Sequence, residues 1–242
     1  MNSSAIHKLF HHGRGFALIL LILWVLGVFY VINPIINDYR FITLHKILKA
    51  GQVTIITRNT PHCYYSYRDE PMGFEYELAQ EFVEYLGVEL KIKIAENWKQ
   101  MTSELKNGTA ALIAAGITIT PKRQKWVAFS DGYMDIRQHI IAHRNNRKIK
   151  GVSDLAGRTV HVQTATAYQE RLDELRRQGL DLSIKLHKDL PTEELIQRVA
   201  EGDIKLTVAD SNIARLNQRH YPQAVMASAI SDLQQLGWAV HP

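Results

Sequence analysis

The stretch GITITPKRQKWVAFSDGYM, residues 116–134, places Thr118, Thr120, Lys122 and Arg123 directly after the apolar run AALIAAG. That run is short and apolar and ends on Gly116, which predicts a buried strand. Thr120-Pro121 is a helix-start signal, a capping hydroxyl followed by a proline suited to the first helical position. Lys122, Arg123 and Lys125 would then sit in the first turns of a helix, where the partial positive charge of the N-terminus disfavours them. An anion bound there would remove the conflict. The Arg123 guanidinium is a permanently charged fork suited to a carboxylate, and its alternative is a surface salt bridge.

Other residues able to do chemistry fall at similar places. Gln163 to Thr166 and Asp210 follow strand-like runs, and Thr166 offers a hydroxyl as Thr118 does. Asp210 offers a counter-charge for a cation, its alternative being the N-cap of a helix over SNIARL. Tyr64, Tyr65 and Tyr67 could supply an apolar or stacking wall. A ligand that needs both a carboxylate anchor and an ammonium anchor is the backbone end of an amino acid or peptide.

The elements that must position these groups read in alternation. QVTIITRNT is a strand, FEYELAQEFVEYLG a helix stopped at Gly87, VELKIKI a strand, WKQMTSELKNG a helix and AALIAAGITI a strand. The order argues for a mostly parallel sheet with crossover helices. RQHIIAHR, TVHVQTAT, LSIKLHK and IKLTVAD repeat the logic as strands, with AYQERLDELRRQG, TEELIQRVAEG and SNIARLNQRHYP as helices. AVMASAI leads towards a last strand, QLGWAVHP. The expectation is an α/β fold with lobe 1 over residues 51–138 and lobe 2 over 139–235. Residues 236–242 would begin a return strand to lobe 1 that nothing covers. In such open sheets the ligand lies beyond the carboxyl ends of the strands.

The chain has 242 residues, 46% of them hydrophobic, and a formal charge of +5. Lys and Arg are scattered among Asp and Glu without a dense run, which speaks against a nucleic-acid partner. Cys63 is the single cysteine, so there is no intramolecular disulfide and no cysteine-based metal cage. His7, His11 and His12 lie in a short tail without a fixed scaffold, and neither a metal nor a cofactor is expected. Residues 16–32, FALILLILWVLGVFYVI, carry no charge, and the apolar run continues to Ile36. About 20 such residues span a bilayer as a helix. Lys8 and Arg14 precede it, as a cytoplasmic flank would, and no small-x-small cleavage site follows. The expected arrangement is a cytoplasmic tail (1–15), an uncleaved single-pass anchor (16–36), a linker (37–50) and a periplasmic soluble part.

GFEYELAQEF, AAGITITPKRQKWVAFSDGYM, GRTVHVQTATAYQE and EGDIKLTVADSNIA resemble the motifs of the family 3 extracellular solute-binding proteins, over roughly residues 51–240. The resemblance implies a two-lobed type II periplasmic-binding-protein fold that binds amino acids. By that likeness Thr118 and Arg123 would hold the ligand α-carboxylate, Thr166 would close on it from the second lobe, and Asp210 would hold the α-ammonium. Tyr65 would be the aromatic wall, and Gly116 stands at the ligand where transport receptors commonly carry a hydroxyl. TEELIQRVAEGDIKLTVADSNIARLNQRHYP and LGWAVHP, with the N-terminal apolar segment, are similar to the non-catalytic N-terminal module of the membrane-bound lytic murein transglycosylase F subfamily. That likeness implies a regulatory module binding an amino acid or a peptidoglycan stem peptide, ahead of a catalytic domain that this chain does not reach. It also implies peptidoglycan as a partner and allows outer-membrane association. The alternative is an amino-acid receptor of an ABC transport system. Glu170 in AYQE resembles that subfamily's catalytic segment, but Arg171 follows it, so a solvent-facing role is expected. Glu75 and Glu77 are two apart at a helix start, which the helix dipole explains.

Overall fold

The computed structural model describes residues 22–24, 26–28, 42–146, 148–188 and 190–242. Of the expected anchor over 16–36, residues 22–24 and 26–28 are helical and the others lie outside the described residues, as do the tail histidines. Among the described residues, no helix is long and apolar enough to cross a membrane.

The first sheet is built from β1 (Gln52–Thr57), β4 (Glu89–Ile94), β5 (Leu112–Thr118), β6 (Ala128–Phe129), β7 (Met134–Ile136) and β13 (Gln234–Val240). Its order is β4-β1-β5-β13-β6, with β7 also pairing β13. Strands β4, β1 and β5 run parallel, whereas β13 is antiparallel to β5, β6 and β7. The return strand is therefore interior to the sheet and paired on both edges. This corrects the expectation that nothing covers it.

Period-two alternation divides the first core. Val53 and Ile55 of β1, with Leu112 and Ala114 of β5, pack against Ala79 and Val83 of α2 (Phe74–Leu86) and Ile47 of α1 (Leu44–Ala50). Ile113, Ala115 and Ile117 face the other way, onto Met101 and Leu105 of α3 (Trp98–Lys106). A strand covered on both faces reads as a continuous apolar run, as AALIAAG does. Between β1 and α2 a hairpin intervenes, β2 (Tyr65–Tyr67) and β3 (Glu70–Met72), turned at Arg68 and Asp69 with φ of 54° and 66°. Two consecutive positive φ values are the signature of a type I′ hairpin turn.

The second sheet has the order β10-β9-β11-β8-β12, made of β8 (Gln138–His143), β9 (Arg158–Gln163), β10 (Leu182–His187), β11 (Leu206–Asp210) and β12 (Ala224–Ala229). AVMASAI is thus a strand of its own, antiparallel to β8. Helix α4 (Ala167–Arg177) covers one face through Leu172 and Leu175. Helices α5 (Thr192–Glu201) and α6 (Ser211–Gln218) cover the other through Leu195, Val199 and Ile213. The chain crosses between the sheets twice, at Arg137 and again between Ala229 and Gln234.

One further expectation is corrected. Thr120-Pro121 opens no α-helix; Arg123–Lys125 form a single 3-10 turn, and β6 begins at Ala128. The hydroxyl still caps, accepting from the Arg123 N–H at 3.3 Å.

Glu75 ties the first lobe together. Only 1% exposed in the first turn of α2, it accepts from the Gly116 N–H at 2.7 Å and the Trp238 indole N–H at 2.8 Å, and from the Tyr133 hydroxyl. Burial pushes its carboxyl pKa up, against the pull of these three donors. Glu77, two residues on, is exposed. The helix dipole therefore accounts for the residue type of Glu75 but not for its position. Removing a buried acceptor leaves each donor unsatisfied at about 1–3 kcal/mol. Glu75→Ala is expected to lower the unfolding free energy by at least about 3 kcal/mol, read by urea titration of circular dichroism. A loss under about 1 kcal/mol would show that the carboxylate is not the tie.

Candidate functional site

A cleft of about 610 Å³ opens between the lobes, and the carboxyl ends of the strands supply its lining. From lobe 1 come Arg58 after β1, Trp98 at the start of α3, Gly116 and Thr118 of β5, and Arg123. From lobe 2 come Thr166, Tyr168, Thr192, Glu193 and Asp210.

On the lobe 1 side, β5 turns at Gly116, whose φ of 59° is left-handed. A Cβ there would also lie 3.2 Å from the His62 ring. Thr118 is buried, and its carbonyl accepts from Arg123 Nη1 at 3.1 Å. Arg123 is only 7% exposed and stacks on the Trp98 ring, 4.9 Å from its centroid. Burial lowers the pKa of its guanidinium, yet an arginine remains charged throughout the working range. Its Nε has no hydrogen-bond partner. Arg58 donates from Nη2 to the Ala115 carbonyl at 3.1 Å, and its Nε is likewise without a partner.

On the lobe 2 side, Thr166 caps α4. It accepts from the Gln169 N–H at 3.3 Å and donates to the Gln163 carbonyl at 2.8 Å. Asp210 occupies the N-cap position of α6 but makes no capping bond with its side chain, which corrects the capping alternative. Its carboxylate is 3% exposed and interacts with Tyr168, whose hydroxyl also accepts from the Asp210 N–H at 3.2 Å. Oδ1 is left without a partner. Burial raises the carboxyl pKa to about 6, against the opposing pull of Tyr168, Arg123 and Arg58.

Thr118, Arg123, Gly116, Thr166 and Asp210 are therefore brought to one cleft. Tyr65 is not: it sits in β2, paired with Met72, and does not line the cavity. The aromatic surfaces in the cleft are Trp98 and Tyr168. Arg58 and Trp98 were missed, although both follow strand ends as the anticipated residues do. Cys63 is fully buried, and burial pushes its thiol pKa up, which suits an inert packing residue. Among the described residues, no group of three or more His, Cys, Asp or Glu is placed to hold a metal ion.

Three side-chain contacts among the described residues join the lobes outside the cavity. Thr120 Oγ1 donates to Glu170 Oε2 at 3.3 Å, and Lys122 pairs with the same carboxylate at 3.6 Å. The Asn212 side-chain amide lies 3.2 Å from His62 Nε2. Burial and the Arg58 charge hold His62 down at about 4, so the ring is neutral. Glu170 is thus a clasp between the lobes, not the solvent-facing residue expected.

Residues 52–223 match the sequence profile of the bacterial extracellular solute-binding proteins, family 3. The chain is 45% identical over 205 residues to a membrane-bound lytic murein transglycosylase F of Desulfosudis oleivorans, covering 84% of this chain and 45% of that protein. A protein of the same name from Saccharophagus degradans is 34% identical over 81% of this chain and 39% of its own length. The chain therefore spans less than half the length of these curated relatives. Among solved structures, it is similar to an ancestral arginine-binding protein bound to arginine. That pair has a TM-score of 0.70 and 25% identity, over 79% of this chain and 84% of the other. Holo ArgBP from T. maritima gives a TM-score of 0.70 and 28% identity over 82% and 86%.

The Asp210 carboxyl, carried from an ordinary 3.8 to about 6, costs about 3 kcal/mol of folding free energy at neutral pH. Its folded pKa is raised, so stability is full below pH 3.8 and is lost as pH rises through about 6. Asp210→Asn is expected to be more stable than the parent at pH 7, with the gap closing towards pH 3.5, in urea titrations at the two pH values. A variant no more stable at pH 7 would contradict a strained Asp210.

Proposed function

The chain belongs to family 3 of the bacterial extracellular solute-binding proteins, and from that premise we propose that its cleft binds the backbone end of an amino acid or of a peptidoglycan stem peptide. In this reading Thr118 and Arg123 seat the α-carboxylate and Asp210 receives the α-ammonium. Thr166 meets the carboxylate from the second lobe, and Gly116 lets the ligand approach the β5 backbone. Trp98 and Tyr168 provide the aromatic wall assigned from sequence to Tyr65. One observation carries the reading: a buried guanidinium and a buried carboxylate, from different lobes, share one cleft with Arg123 Nε and Asp210 Oδ1 both unpartnered. Buried polar atoms are ordinarily satisfied, so such a pair fits a site that awaits a zwitterion.

The likeness to the transglycosylase F proteins supports a regulatory, non-catalytic module, anchored in the membrane through residues 16–36, with the lobes in the periplasm beside peptidoglycan. Lobe 1 would comprise residues 51–138 with the return strand, and lobe 2 the segment between. The likeness to arginine-binding proteins supports a second reading, an amino-acid receptor of an ABC transport system.

Isothermal titration of the full chain in detergent with a panel of amino acids and alanyl dipeptides tests the site. Arg123→Ala is expected to weaken binding by about a hundredfold or more, and unchanged heats would reject the assignment. A ligand ammonium favours ionised Asp210, so binding below pH 6 must release a proton. Affinity should fall by up to about tenfold per pH unit as pH drops below that value. A flat affinity between pH 7 and 5 would remove Asp210 from the ligand. Glu170→Ala should raise the dissociation rate severalfold by loosening the closed form, in a stopped-flow measurement, since the residue does not line the cavity.

A further inference from the structure

The amino-acid reading leaves one cation at the inner end of the cleft unused, Arg58. Arg58 and Arg123 are both cationic, and both are held by carbonyls of β5, at Ala115 and Thr118 respectively. Two buried carboxylates stand near them, Asp210 in the cleft and Glu75 behind Gly116, the latter already engaged by its own donors, and Glu170 attracts Arg123 through space. Glu96, Lys99 and Lys188 also line the cavity, but they are exposed and solvated at its rim. Glu193, half-buried in the first turn of α5, attracts Arg58 through space. Among the described residues no ion pair joins the two.

An amino-acid backbone brings one carboxylate and one ammonium. Placed on Arg123 and Asp210, it leaves Arg58 facing the same cavity with Nε unpartnered. Burial opposes its charge and Cys63, Glu193 and Tyr168 favour it, but among the described residues no carboxylate pairs with it, and a carboxylate is the group whose geometry its fork matches. A ligand with one ammonium and two carboxylates engages Asp210, Arg123 and Arg58 together, and about 610 Å³ leaves room for its side chain beyond the backbone end.

We infer that Arg58 is a specificity-determining residue, the seat of a second carboxylate, and that the ligand is an amine bearing two carboxylates. The source of that chemistry is a free acidic amino acid or the acidic residue of a short peptide. The inference rests on the amino-acid reading of the cleft given above, and it concerns a residue that reading does not use.

The test pairs L-glutamate with L-glutamine, and alanyl-glutamate with alanyl-glutamine, titrated into the full chain and into Arg58→Ala and Arg58→Lys. The acidic member of at least one pair should bind the parent at least tenfold more tightly than its amide. The ratio should collapse towards one in Arg58→Ala and recover in part in Arg58→Lys, which keeps the charge without the fork. Whichever pair shows the effect identifies the source. Parent binding with no acid-over-amide preference in either pair, or a preference that Arg58→Ala leaves intact, would overturn the inference and leave the amino-acid reading standing. If none of the four compounds binds the folded parent while another member of the amino-acid panel does, the role of Arg58 fails and the amino-acid reading stands; if nothing in the panel binds, both fail. Should Arg58→Ala not fold, the parent ratio and Arg58→Lys still decide.

Discussion

The buried carboxylate of Glu75 is the interaction on which the first lobe depends. It joins the start of α2 to Gly116 in β5, to Tyr133 ahead of β7 and to Trp238 in β13. Among the described hydrogen bonds of the lobe, none spans more of the sequence than its 163 positions to Trp238. Its hydrogen-bond partners are dipolar groups, and the Arg58 charge adds a through-space attraction. Such a carboxylate is stable only while every donor keeps its geometry. That requirement fixes the bend at Gly116, and the bend sets where Thr118 and Arg123 stand. The entry of the chain into α2 is equally constrained: a Cβ at Gly73 would lie 2.4 Å from the Cys63 carbonyl, at a φ of 131°.

The cleft follows the opposite rule. In Glu75 every lone pair that matters is engaged, whereas in the cleft Arg58, Arg123 and Asp210 each keep a buried atom without a partner. Unsatisfied buried polar atoms lower stability wherever they occur, and they persist where a function requires them. Directly beneath the groups left open to a ligand, lobe 1 is tied by the hydrogen bonds of Glu75. Binding would then cost little reorganisation on that side, and motion is left to the second lobe.

Much of the fold was legible because both sheets are flanked by helices on two faces. Buried parallel strands give short apolar runs and their helices give clear 3.6-residue spacing, and the runs at 52–57, 112–118 and 206–210 carry the signal without ambiguity. Strand ends bring Thr118, Arg123, Thr166 and Asp210 to one cleft, as the sequence pattern indicates, and Arg58 obeys the same rule but has no neighbouring helix-start signal to mark it. Tyr65 was misplaced because Arg68 and Asp69, not a glycine pair, make the tight turn that folds its segment into a separate hairpin. The helix expected after Thr120 was cut short by β6, a two-residue strand that exists only through its pairing with β13. Glu75 was beyond local reading altogether, since its donors lie 41, 58 and 163 positions away.

The interior position of β13 bears on how the molecule is made. Lobe 2 is contiguous from Gln138 to Ala229, so every strand of its sheet is available as soon as that segment leaves the ribosome. Lobe 1 begins earlier and finishes later: its sheet lacks a central strand until residues 234–240 arrive. During that interval β5 presents an unpaired apolar edge, the kind of surface on which nascent chains associate wrongly. The order of completion is thus the reverse of the order of synthesis, and the lobe that carries both arginines is the one that waits.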